Sequence, residues 1–415
     1  MTADTRPRAL VSMNTALDGY TERLFGHLPR ADQRRWAQAY LQGLLTTPGK
    51  KSVRRLAASV TASPTASQSL QQFINASPWE WDPARLELLH WVEERHPVHA
   101  WTIGQAVLPK RGEHSVGVHR RFDPAAGRTV NGQLGLGLFL SLGGTSVPVD
   151  WRLMLPEAWT DDPDQRRRAR IAPGIAHRPP EALILELVES VAAHTTTAHA
   201  PVVADLSRLT GAAALLGALA RRGHDFLVSV PPTLTVRAAG LAPGRGDAGR
   251  AAGHESTAGD LARLGNTRHP YTAVLTGPAA RAQPMRIQSG LVRVPGAETG
   301  TPATGCGAYR LFGERRPGPG RRGGPVWITN MTEHRMDDLL YLARQSTEAG
   351  RVLGTLAEDF GLLDFAGRSF PGWHHHMTLV SAAYAYKSVP SLRDRQTRPG
   401  LPAAYPAALG SRRSA

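Results

Sequence analysis

The stretch Ala200-Pro201-Val202-Val203-Ala204-Asp205 decides the fold. An apolar run this short, rich in β-branched residues and closed by a carboxylate, reads as a buried strand. Downstream, Leu209 to Arg222 has helical periodicity, and Phe226-Leu227-Val228-Ser229-Val230 is a second buried strand. Upstream, Pro179 to Thr197 is a helix with Leu183, Leu185, Leu187, Val188 and Val191 on its apolar side. Before it the period is that of strands: His99 to Ile103 leading into Val107-Leu108, Ser115 to His119, Gly132 to Leu140, and Ser146 to Leu155. Turns such as Gly143-Gly144 make these an antiparallel meander. Gly135 and Gly137 lie inside a strand with no helix after them, which rules out a phosphate-cradling loop.

On either side of this centre the composition changes. Residues from Asp18 to Glu94 read as short helices, broken at Pro48-Gly49 and restarted at Ser69 and at Ser77-Pro78. Residues from Arg237 to Gly324 are rich in Gly, Ala, Arg and Pro, with strand-like pieces at Tyr271 to Leu275, Met285 to Val294 and Val326 to Thr329. Helices are expected over Met336 to Phe360 and His374 to Lys387, and the Pro- and Arg-rich chain after Val389 has the composition of disorder. The expected division is a helical unit 1–96, a core 97–236, an inserted loop-rich subdomain 237–325, a return to the core at 326–388, and a disordered tail 389–415.

The chain has 415 residues and a formal charge of +15, which permits a phosphate-rich partner. Only four basic residues are Lys (50, 51, 110 and 387), so 45 of the 49 are Arg, the side chain suited to bidentate phosphate contacts. The single Cys306 excludes an internal disulfide and any Cys-based zinc site. No apolar run approaches the ~20 residues of a membrane span, and the first residues lack the apolar core of a secretory signal. The expectation is a soluble cytoplasmic protein. Asp161, Asp162 and Asp164 read as a solvated loop with a helix N-cap, Asp150 pairs with Arg152 along a strand, and Ser229 lacks the glycine elbow of a serine hydrolase.

Phe365-Ala366-Gly367-Arg368-Ser369-Phe370-Pro371-Gly372-Trp373-His374-His375-His376 is the most unusual segment. Successive helical side chains point about 100° apart, so the three His cannot close on one ion. They read either as a helix start with one His buried, one capping and one in solvent, or as a basic, aromatic-rimmed face for a polyanion. With the preceding Leu362-Leu363-Asp364, the segment resembles the C-terminal end of DDE-type insertion-sequence transposases, whose catalytic core is RNase H-like. Leu70 to Phe73, Ser77 to Asp82, Lys110 to Val118, Asn131, Gln133, Val149 to Leu153, Trp159 to Pro163 and Val202 to Asp205 follow in the family's order.

The resemblance implies an α/β fold: an RNase H-like mixed sheet with flanking helices, a helical N-terminal DNA-binding domain and an inserted subdomain. It also implies double-stranded DNA as partner, a possible homodimer, and Mg²⁺ held by two Asp and a Glu. Two such ions polarise the attacking oxygen and stabilise the leaving one, so the carboxylates must converge from separate strands and a helix. Gly104 and Gln105 stand where the first Asp belongs. Asp205 fits the second position as catalytic and metal-binding residue, with a helix cap as an equal alternative. On the final helix the Arg, Glu and Lys places fall on Ser346, Gly350 and Ala357, and Glu348 is two residues, about 200°, out of register.

The leading expectation is therefore a transposase-related DNA-binding protein, impaired in strand cleavage, that contacts DNA through Arg54, Arg55, Lys110, Arg111, Arg368, Trp373 and His374. One rival is an active Mg²⁺-dependent recombinase using Asp205, Glu348 and a third acid such as Glu113 or Asp150. The other is a non-enzymatic DNA-binding regulator that keeps the fold as scaffold.

Overall fold

A computed structural model of the protein describes residues 6–123, 126–239, 255–264, 271–277, 280–297, 307–315 and 324–396. The chain opens with five helices: α1 (Arg6–Phe25), α2 (Ala31–Thr46), α3 (Val53–Val60), α4 (Ala66–Asn75) and α5 (Asp82–Glu93). Pro48 and Gly49, the latter with φ 62°, separate α2 from α3, and Pro83 sits in the first turn of α5.

The meander follows as β1 (Ala100–Pro109), β2 (His119–Asp123), β3 (Arg128–Ser141) and β4 (Ser146–Met154). Strand β2 begins where the sequence reading ended it, at His119 instead of Ser115, because Ser115 to Val118 form a turn closed by Val118 N–H donating to Ser115 O. After α6 (Glu157–Asp161) and α7 (Pro163–Ala169), helix α8 (Pro180–His194) leads to β5 (Val202–Asp205), α9 (Ala212–Arg221) and β6 (Phe226–Val230). Asp162 caps α7, accepting from Asp164 N–H at 2.8 Å and Gln165 N–H at 3.2 Å, as its sequence neighbourhood suggests.

Between β6 and the return to the core strands the chain carries β7 (Thr235–Ala238), β8 (Glu255–Thr257), α10 (Ala258–Leu264), β9 (Tyr271–Gly277), β10 (Ala280–Arg293) and β11 (Tyr309–Arg315). The chain then forms β12 (Val326–Thr329), α11 (Met336–Asp359) and α12 (Phe370–Gln396). Helix α12 runs on past Val389 to Gln396, so the expected tail is helical over its first residues; 397–415 lie outside the described residues.

Among the described residues one sheet of twelve strands runs through the molecule, in the order β2-β3-β1-β5-β6-β12-β11-β10-β7-β8, with β4 on β3 and β9 on β10. β3 is antiparallel to β1 and β4, β1-β5-β6 are parallel, and β12 is antiparallel to β6. This mixed sheet with flanking helices is the RNase H-like core that the sequence implies. The insertion joins it edge to edge, so strands β10 and β11 prolong the core sheet through β12.

Strand alternation sorts the layers. Val203 and Leu227 pack with Leu339 and Leu342 of α11, whereas Val202 and Ala204 belong to the larger core. The N-terminal helices share that larger core, wrapping the C-terminal α12: Tyr20 Oη donates to Ala382 O at 2.9 Å across 362 residues of sequence.

Candidate active site

Strand β5 delivers Asp205 to the rim where the parallel strands end, the usual location of sites in sheets of this kind. Its register with β1 pairs Ile103 with Ala204, so Gly104 lies beside Asp205, and its register with β6 pairs Asp205 with Ser229. The exposed Asp205 carboxylate accepts from Ser229 Oγ at 2.7 Å and from Ser207 N–H at 2.9 Å. Gln105 Nε2 donates to the Asp205 carbonyl at 3.1 Å. The carboxylate thus closes the turn after β5 and still reaches solvent; it does not cap a helix at Ser207, because the next helix starts only at Ala212 with Gly211 before it. Ser229, dismissed above for want of a nucleophile elbow, is its side-chain partner. The matching positions at the ends of two buried strands were the signal available in the sequence.

Gly104 faces α11. A Cβ placed on it would lie 2.6 Å from Cε2 of Phe139 and 3.3 Å from Cδ1 of Leu353. The position beside Asp205 is therefore packed with an aromatic ring and a Leu side chain. On α11 the buried stripe is Leu339, Leu342, Gln345, Ala349, Val352 and Leu356, and Gly350 is exposed. Glu348 accepts from Arg351 at Nη2 (2.6 Å) and Nε (3.0 Å), which holds its charge in a local pair.

The other two candidate acids are engaged or remote. Asp150 is buried, and its Oδ1 accepts from Arg85 Nη1, Arg152 Nη1 (both 2.8 Å) and Trp151 N–H (2.7 Å). Glu113 is exposed between β1 and β2. Among the described residues no three His, Cys, Asp or Glu side chains come together as a metal site. The donors grouped at Asp205 are one carboxylate, a hydroxyl and a carboxamide. That set does not fit a pair of divalent ions.

Trp373, His374, His375 and His376 are all buried, so the expected DNA-binding role of Trp373 and His374 needs correcting. The three His occupy the start of α12, and because α2, α4 and α5 pack against that helix each imidazole meets an interior partner. Arg85 donates through Nη2 to His374 Nδ1 at 3.1 Å, while Trp81 stacks on the ring at 4.6 Å. Burial and the adjacent Arg85 charge hold the His374 pKa well below its usual value.

His375 lies stacked on Trp79 at 3.9 Å, with Nδ1 and Nε2 each 2.8 Å from a carbonyl oxygen, of Ile74 and Trp79 respectively. Burial draws its pKa down to about 4, against the opposite pull of those carbonyls. His376 sits between Tyr40 Oη and Gly361 O, both at 3.0 Å, and burial likewise draws it to about 4. Trp373 fills the space above Gly135, whose absent Cβ would lie 3.0 Å from Cζ2 of the indole. These rings are a packed polar interior joining both ends of the chain.

Lys110 also differs from expectation. Its Nζ donates to Phe365 O at 2.7 Å and lies over the Phe365 ring, and burial lowers its pKa to about 8. It is a tie between the end of β1 and the loop before α12, not an exposed cation. Arg54, Arg55, Arg111 and Arg368 are exposed, with Arg55 Nη2 donating to Pro48 O at 2.8 Å.

No curated protein matches the chain. A family model described as DDE superfamily endonuclease matches residues 23–291, from within α1 through β10 and including Asp205. The match covers well over half of the sequence and takes in β1 to β6, and on that basis the chain belongs to the DDE superfamily of endonucleases.

Proposed function

We propose that this chain is a transposase-derived DNA-binding protein in which metal-dependent strand cleavage and transfer are impaired. The observation that carries the reading is the packing over Gly104: the position beside Asp205 is filled by Phe139 and Leu353, so a second carboxylate cannot stand there without displacing them. Asp205 alone supplies one of the three acids a two-ion mechanism draws on. Exposed Arg54, Arg55, Arg111 and Arg368 support contact with phosphates. The family acts on DNA, and its nucleases generally use a divalent ion; double-stranded DNA is the partner we assign here, with the 97–236 and 326–388 segments as scaffold.

The test is incubation of the full chain with Mn²⁺ or Mg²⁺ and supercoiled plasmid carrying its own flanking DNA, beside the Asp205→Ala variant. Intact plasmid, retarded in a gel by both proteins alike, supports the reading. Metal-dependent nicking by the wild type that disappears in Asp205→Ala overturns it and leaves an active recombinase.

A further inference from the structure

Strand β2 is an edge strand that carries an aromatic side chain into solvent. Phe122 is 51% exposed, the most exposed of the large apolar side chains among the described residues. Arg120, two residues earlier, lies on the same face of the strand and is also exposed. Their cross-strand neighbours on β3 are Asn131 and Thr129, which place an amide and a hydroxyl on that face. No carboxylate pairs with Arg120 or Arg208 among the described residues. Asp123, the one acid of β2, is buried.

This face sits beside the candidate site. Arg208, three residues beyond Asp205, brings its guanidinium to 5.7 Å from the centre of the Phe122 ring. The exposed ring and the exposed guanidinium groups of Arg120 and Arg208, neither in an ion pair among the described residues, together suit a nucleic acid whose bases are unstacked. An aromatic platform binds bases by their π-faces, and the flanking guanidinium groups hold the backbone.

We infer that the β2–β3 face bearing Arg120, Phe122, Thr129 and Asn131, with Arg208, binds an unstacked single-stranded nucleotide next to duplex DNA. The inference rests on the DNA-binding reading above and adds to it a form of DNA and a place. A flat apolar contact with a second copy of the chain is the competing use of Phe122. The exposed Arg120 and Arg208 favour nucleic acid, because two copies would bring these like charges together.

Fluorescence anisotropy on the full chain, with a labelled duplex carrying a short 3′ single-stranded overhang and with the same duplex blunt-ended, tests the assignment. Phe122→Ala should weaken binding of the overhang duplex about tenfold and leave the blunt duplex nearly unchanged. Phe122→Trp should keep overhang binding. Arg120→Ala should weaken both duplexes and lower the salt slope by about one. Equal binding of both duplexes by Phe122→Ala and wild type overturns the proposal, and so does equal loss on both. A change in sedimentation mass with unchanged DNA affinity also overturns it and marks Phe122 as a contact between copies. Failure of the wild type to bind either duplex removes the DNA-binding reading itself, and the proposal with it.

Discussion

Gly104 and Phe139 compete for one space: the Cβ that Gly104 lacks would lie 2.6 Å from Cε2 of the Phe139 ring. Phe139 pairs with Thr102 across the β1–β3 ladder and packs edge to face on Trp151, with ring centres 5.7 Å apart. The ring therefore belongs to the main core, and the position beside Asp205 is filled by packing. Placing an acid there is a structural change as well as a chemical one.

Gly104→Ala should destabilise the protein by about 1–3 kcal/mol through overpacking, and Gly104→Asp by more because it also buries a carboxylate. Phe139→Leu relieves the same clash, so its cost and that of Gly104→Ala should be strongly non-additive, with a coupling on the order of 1 kcal/mol. Urea unfolding of the two single variants and the double variant reads this directly. Costs that simply add would mean the ring can move aside, and the packing argument for an impaired site would lose its basis.

A second expectation concerns Arg85. It donates to Asp150, to Trp151 O, to Thr378 Oγ1 at 2.9 Å and to His374, joining α5, β4 and α12 from the interior. Replacing it with Met strands these acceptors and should cost about 3–5 kcal/mol. Arg152 stays on Asp150, so Arg85→Met with Asp150→Asn should recover part of the loss. Arg85→Lys should rescue little, because a point charge cannot reproduce the fork of donors. Thermal unfolding of the three variants decides the matter, and a well-tolerated Arg85→Lys would show that charge alone suffices.

The interior His residues predict a pH dependence. His376 accepts from Tyr40 Oη and donates to Gly361 O, an arrangement complete in the neutral ring. Its folded pKa is drawn down to about 4 from 6.5, so between those values the unfolded chain binds more protons. Stability is then fully present above about pH 6.5 and is lost as pH falls towards 4, by roughly 3 kcal/mol for this group. His374 acts in the same direction. His376→Gln should flatten the fall of Tm between pH 6.5 and 4, and curves that stay parallel to wild type would assign the acid sensitivity elsewhere.

Why the strands were legible and the His run was not follows from where the partners lie. β5 and β6 announce themselves locally, since a doubly covered strand is predominantly apolar, and Asp205 marks the end of β5 as its one charged residue. The sequence order of meander, helix, strand, helix and strand was enough to place Asp205 on the rim. His374, His375 and His376 gave no local sign of burial, because the groups that meet them, Arg85, Trp79, Ile74 and Tyr40, come about 300 residues earlier in the chain. Lys110 misled for the same reason: its acceptor is Phe365. In β2, Arg120 and Arg121 masked the strand period, so the strand was placed several residues too early. The composition of 237–325 suggested loops with strand-like pieces, but its strands pair with one another and join the core sheet through β11 on β12.

Lys110 and the pair Arg54 and Arg55 separate structural cations from phosphate contacts. Lys110 spends its ammonium on Phe365 O, and Asp364 accepts from Lys51 N–H at 2.6 Å, so the loop before α12 is tied to β1 and to the start of α3. Lys110→Met should leave duplex affinity and its salt slope within about twofold of wild type, while hydrogen exchange speeds up across 361–369. Arg54 and Arg55 are exposed, and replacing both with Ala should lower the salt slope by roughly one to two. Anisotropy titrations over a series of salt concentrations, paired with exchange on the same proteins, measure both effects. A lower slope for Lys110→Met would put that side chain back on the DNA, and an unchanged slope for the Arg pair would take α3 off it.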